Sequence, residues 1–154
     1  VITGLLAVAF VDAARLTGLG SEEANNFLIV HGGGVNMRSL LLAGILVGIL
    51  GVLDDITVAQ AAVVQQLKKA NPNLKPSDLY WRAMSVGQDH IASMVNTLIL
   101  VYVGASLPLL LLFLRDPHPI SQIINYEIVA AEIVRTLVGS LGLILAVPVT
   151  TLLA

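Results

Sequence analysis

The sequence has no cysteine, which excludes a disulfide framework and any thiolate metal or redox site. Aromatic residues make up only 5% of the chain, leaving few rings for stacking on bases, and a formal net charge of −2 offers no basic footprint for nucleic acid. Charge of either sign is scarce: Asp, Glu, Lys and Arg together account for 12% of 154 residues, about half the share of an ordinary soluble domain. No basic start followed by a small-residue cleavage site marks a removable signal peptide. What is present is apolar. Hydrophobic residues form 56% of the chain and mean hydropathy is +0.89, a composition that reads as an integral membrane protein with the lipid bilayer as its main partner.

Four hydrophobic segments are separated by polar connectors. The first, residues 1–14, is expected to be a truncated span; the others run over about 39–67, 91–114 and 128–154. A helix needs roughly 20 residues to cross ~30 Å of hydrocarbon, so the last three are long enough. The expected fold is all-α: a polytopic transmembrane helix bundle of about four spans, one membrane domain over residues 1–154. Because the chain starts at Val1 and stops at Ala154 inside an apolar run, it is expected to be part of a longer polytopic protein.

The connector 68–90 holds Lys68, Lys69, Lys75 and Arg82, against Arg15, Arg38 and Arg115 in the other two, which predicts a cytoplasmic loop by the positive-inside rule. Within it Asn71-Pro72 stops one helix and Pro76-Ser77-Asp78 starts another, with Ser77 or Asp78 as the cap. Leu79, Arg82, Ala83 and Val86 then follow at helical spacing, which predicts an amphipathic helix lying on the inner membrane surface. Residues 31–37, HGGGVNM, predict a flexible elbow on the other side; as a phosphate cradle, Gly32-Gly33-Gly34 lacks the preceding strand. His31, His90 and His118 lie in distant connectors, so no metal site is expected, nor any cofactor beyond a proton or Na⁺.

The second segment includes GVLDDITVAQ, residues 51–60, where Asp54 and Asp55 interrupt an otherwise uncharged run. Fourteen residues separate Asp54 from Leu40 and from Lys68, about 21 Å each way, which predicts a pair near the membrane midplane. Gly44, Gly48, Gly51, Asp55, Ala59 and Ala62 recur every three or four residues and share one helix face, a small-residue pattern that lets another helix approach. Ser93, Asn96, Thr97, Leu100 and Gly104 form a stripe on the third segment; Ala131, Arg135, Gly139, Gly142 and Ala146 form one on the fourth, with Glu132 beside Arg135. Three such stripes predict spans converging on a polar interior while Leu, Ile and Val face lipid.

An ionisable group at the bilayer centre costs about 2.5–3.5 kcal/mol even on insertion scales, so it normally faces a bundle or water. Two carboxylates side by side repel, and a bound proton or small cation relieves that repulsion. Asp54 and Asp55 are therefore expected to carry an ion or proton relay, with Asn96 and Thr97 lining the path and Glu132 and Arg135 as an ion pair of either structural or functional use. The other reading is structural: intramembrane polar groups lock helices through hydrogen bonds worth about 0.6 kcal/mol each. Adjacent helical residues point about 100° apart and suit the two opposed carboxylates of an aspartyl protease poorly, so no enzymatic activity is expected. Gly44, Gly48, Gly51, Gly104, Gly139 and Gly142 are expected packing positions, in a homo-oligomer or against the remainder of the chain.

Residues 51–113, from GVLDDITVAQ through MVNTLILVYVGASLPLLLLF, resemble the signature region of the YibE/F-like membrane proteins, and EIVRTLVGSLGLILAVPVTTLLA resembles that family's C-terminal end. The family is bacterial and multi-spanning, so the resemblance implies the bacterial cytoplasmic (inner) membrane. More distantly, Gly51 with Asp54-Asp55, then DLYWRAMSVGQDHIASMVNTL and LILAVPVTTLLA, are similar to resistance-nodulation-division transporters and to SecD and SecF. That similarity implies a half-bundle of such a transporter and a proton-relay role for Asp54 and Asp55. The chain departs from the pattern in having one residue fewer between Gly51 and Asp54, no lysine inside a span, and no large extracytoplasmic domain. Arg135 is the available cation; counted from Glu127 it lies about 12 Å deep, about 9 Å short of the aspartates.

Overall fold

The computed structural model of the protein describes residues 1–31, 34–114 and 119–154; Gly32 and Gly33 of the expected elbow, Arg115, His118 and the His31 side chain lie outside the described residues. In chain order the helices among them are α1 (Ile2–Ala13), α2 (Glu22–His31), α3 (Met37–Ala70), α4 (Pro76–Ala105), α5 (Leu107–Phe113), α6 (Ile120–Ile123) and α7 (Glu127–Leu153). No strand occurs among the described residues, in keeping with the all-α expectation. Helices α3 and α7 are long and apolar enough to cross a membrane, and α4 with α5 qualifies as a third crossing only as a pair bent by 61°. Among the described residues two or three candidate crossings therefore stand where four segments were expected. With 12 residues, α1 reaches only about 18 Å.

The expected surface helix in connector 68–90 is not a separate element. Helix α3 continues to Ala70, a short turn follows, and α4 runs unbroken from Pro76 to Ala105. Part of the stretch 79–89 packs inside the protein: Ala83, Met84 and Gly87 are buried, while Trp81, Ser85, Val86, Gln88 and Asp89 stay exposed. Local chemistry sets the ends. The Asn36 side chain accepts from Ser39 N–H at 3.1 Å to open α3, Lys68 and Lys69 oppose its C-terminal dipole, and Pro76 sits where a missing N–H does no harm.

Helix α7 is the central element, packed against α1, α3 and α4. One core cluster joins Ala7 and Val11 to Ile45, Ile49 and Val138; the second joins Ile56, Met84 and Leu98 to Leu143 and Val147. Gly142 lets α7 close on α1, since a Cβ there would stand 2.9 Å from Thr3 Cγ2, whereas one on Gly139 would make an ordinary 3.5 Å contact with Leu98. Among the described residues the interior is apolar with one polar knot, not the expected polar centre. Buried Gln60 donates through Nε2 to the Ala83 carbonyl at 3.0 Å and to Thr151 Oγ1 at 2.7 Å, and Thr151 donates to the Val147 carbonyl at 2.7 Å.

At the opposite end Asp12 pairs with Arg38, tying α1 to α3. Glu127 accepts from Thr17 N–H and Thr17 O–H, both at 2.6 Å, and from Gly18 N–H at 2.5 Å. Gly18 has φ +84, and a Cβ there would run into the Met37 carbonyl. Hydrogen bonds to a charged acceptor are the stronger kind. Glu127→Gln is expected to speed amide exchange at Thr17 and Gly18 about tenfold, read by hydrogen–deuterium exchange in detergent; unchanged exchange there would show that the carboxylate does not hold this turn.

Candidate functional site

Helix α3 turns Ile49, Ile56 and Gln60 inward, and its period then leaves Gly51, Asp54, Asp55 and Val58 outside. Both aspartates are exposed, and neither carboxylate has a hydrogen-bond or ion-pair partner among the described residues. Their surroundings are open: a Cβ added at Gly44, Gly48 or Gly51 would meet nothing within 4 Å. A side-chain bond at this point runs to the backbone, from Thr57 Oγ1 to the Asp54 carbonyl at 3.0 Å.

On α4, Ser93, Asn96, Thr97 and Gly104 are also exposed, with Thr97 Oγ1 donating back to the Ser93 carbonyl at 3.0 Å and open space at Gly104. Gln60 meets α4 at Ala83 and Gly87, which fixes the register of the antiparallel hairpin. Counting from there puts Asp54 roughly level with residues 91–93, and Asn96 and Thr97 roughly one turn beyond. Asp54, Asp55, Asn96 and Thr97 thus lie on the exposed surface of one hairpin, but no hydrogen bond joins them among the described residues. The same register puts exposed Gln88 and Asp89 about one turn on the other side of the aspartates. Along α3 itself Asp54 and Asp55 lie near the middle of the helix, Met37–Ala70.

Glu132 and Arg135 are brought together. Arg135 donates to Glu132 Oε1 at 2.6 Å, and its guanidinium lies over the Tyr102 ring, 5.9 Å from the centroid. This cluster is remote from the aspartates: Arg135 and Gly44 line one cavity, and Asp54 is ten residues, about 15 Å, further along α3. Of the expected packing glycines, Gly139 and Gly142 act inside the chain, whereas Gly44, Gly48, Gly51 and Gly104 remain open.

Among known protein families, the model of the YibE/F-like proteins matches residues 1–154. The chain belongs to that family. No curated protein and no solved structure matches it. As a YibE/F-like chain with at least two helices fit to cross a bilayer, it is a membrane protein. Sequence reasoning about this YibE/F-like protein missed Gln60, Thr151 and Tyr102. The signal for Gln60 was present, as a lone polar residue four positions from Ile56 and from Val64 on the buried face of α3.

Proposed function

We propose that this YibE/F-like protein is a proton- or sodium-coupled secondary transporter, or an energy-coupling membrane subunit, in which Asp54 and Asp55 take up and release the ion. The observation that supports this reading is an adjacent, exposed carboxylate pair on a 34-residue apolar helix, without a partner among the described residues. Bare carboxylates facing hydrocarbon are expensive, so they hold a proton or cation, or meet a polar surface. Arg135 sits too far away to neutralise them within one copy. Gln88 and Asp89, roughly one turn away, shorten the path of an ion arriving from the hairpin side, which in this reading is the cytoplasmic side of a bacterial inner membrane, in keeping with its lysines. Asn96 and Thr97 would continue the path beyond the pair.

The test is carboxyl-sensitive infrared difference spectroscopy in nanodiscs from about pH 4 to about pH 9, with and without Na⁺. A protonation signal that moves with Na⁺ and disappears in the Asp54→Asn/Asp55→Asn double variant is expected. Carboxylates that stay silent over the whole range would sink the reading. The open faces at Gly44, Gly48, Gly51 and Gly104 favour a second one: an assembly subunit whose face receives another copy or the remainder of the chain. In that case the double variant changes oligomer state or yield, and no ion-dependent signal exists to lose.

A further inference from the structure

A cleft of about 510 Å³, within the range for ligand sites, opens between the end of α1 and the start of α7. Ile124, Ile133 and Leu137 on its walls are more than 40% exposed, so it opens sideways, where a bilayer would be. Its polar lining is Arg15, Asn125 and Glu127, gathered at the end where α7 begins. Helix α7 has 27 residues, about 40 Å, against ~30 Å of hydrocarbon. Centred in a bilayer, it puts Glu127 and the neighbouring Arg15 turn among head groups, and Ile133 and Leu137, about 9 and 15 Å further in, beside acyl chains.

Both Glu127 oxygens are already engaged by Thr17 and Gly18, and Asn125 Nδ2 donates to the Ser121 carbonyl at 2.7 Å. Arg15 differs. It is exposed, its guanidinium has no hydrogen-bond or ion-pair partner among the described residues, and Asp12, one turn back, is paired with Arg38 instead. Its backbone is also unusual: Arg15 N–H donates to the Asp12 carbonyl at 3.0 Å and Leu16 N–H to the Val11 carbonyl at 3.1 Å, a Schellman ending of α1 that holds Arg15 at φ 52. Glycine is the usual residue there, because an L side chain is strained in that conformation. The chain thus keeps a free cation, at a conformational cost, on the polar end of an apolar cleft.

We propose that this cleft holds an anionic phospholipid, its phosphate paired with Arg15 and one acyl chain lying along Ile133 and Leu137. The site is independent of the aspartates. Phosphatidylglycerol bearing a diazirine on one acyl chain, placed with the protein in phosphatidylcholine nanodiscs, tests it, the adducts being located by mass spectrometry. Adducts are expected on α1 and α7 around the cleft. Unlabelled phosphatidylglycerol should compete for them about tenfold better than phosphatidylethanolamine with the same chains. Arg15→Gly suits φ 52 and so removes the charge while leaving the turn intact; it should abolish this preference, and Arg15→Lys should retain part of it. Adducts confined to the hairpin tip around Lys68 and Lys75, equal competition by phosphatidylethanolamine, or an Arg15→Gly protein that keeps the preference would overturn the proposal.

Discussion

Gly87→Val is expected to cost about 3–5 kcal/mol and to separate α4 from α3 and α7. A Cβ at Gly87 would stand 2.5 Å from Val147 Cγ1 and 2.8 Å from Gln60 Oε1. Neither neighbour yields cheaply. Val147 is a short, fully buried side chain, and Gln60 is pinned by its bonds to the Ala83 carbonyl and to Thr151. Relief either moves a helix or strips the hydrogen bonds from a buried amide. Thermal unfolding in detergent, followed by circular dichroism, checks it. The comparison is Gly139→Ala, whose added methyl would make an ordinary 3.5 Å contact with Leu98 and should leave the midpoint nearly unchanged. A Gly87→Val protein as stable as the parent would show that the three helices are not held this tightly.

Gly48→Leu is expected to do the reverse: little to the fold and much to association. Nothing lies within 4 Å of a Cβ there, so folding stability should change by no more than about 0.5 kcal/mol. The new side chain would nevertheless stand on the open face between Gly44 and Asp55 and keep a partner helix at a distance. Copies associating through this face should do so at least about tenfold more weakly, because close backbone approach drives helix packing in lipid. Single-molecule photobleaching in nanodiscs or vesicles reads the oligomer population. An unchanged population together with an unchanged fold would mean that this face meets lipid or another part of the protein, and not a second copy.

The helices themselves were legible, because apolar runs and Pro76 mark where backbone can satisfy itself in a bilayer. The direction of their faces was harder to read. In water a polar stripe points outward and an apolar one inward, but in lipid both the core and the surroundings are apolar. Periodicity therefore found the stripes of Gly44–Asp55 and Gly139–Gly142 alike, and could not show that the first is open while the second is packed on Thr3, Leu53 and Leu98. The same ambiguity hid the continuity of α4: an amphipathic stretch at 79–86 fits a membrane surface as well as it fits Ile56, Leu143 and Val147. Glu132 and Arg135 were legible as a pair because one helical turn fixes their neighbourhood. Tyr102 was not, since only tertiary packing brings its ring under Arg135.

Helix α3 has 34 residues, about 51 Å, where hydrocarbon is ~30 Å thick. Tilting alone would have to reach about 54°, beyond the ordinary range for spanning helices, so about 20 Å of it stands in water. The exposed Gln88 and Asp89 put most of that overhang at the end shared with α4. The hairpin is thus a stalk with Lys68, Lys69 and Lys75 near its tip, and Gln60 clasped to Thr151 near its root. Such a stalk is a lever. A sideways force at the tip arrives as torque at the root, some two turns from Asp54, so a soluble body pulling on the lysines could twist the carboxylates relative to α7 without touching the bilayer.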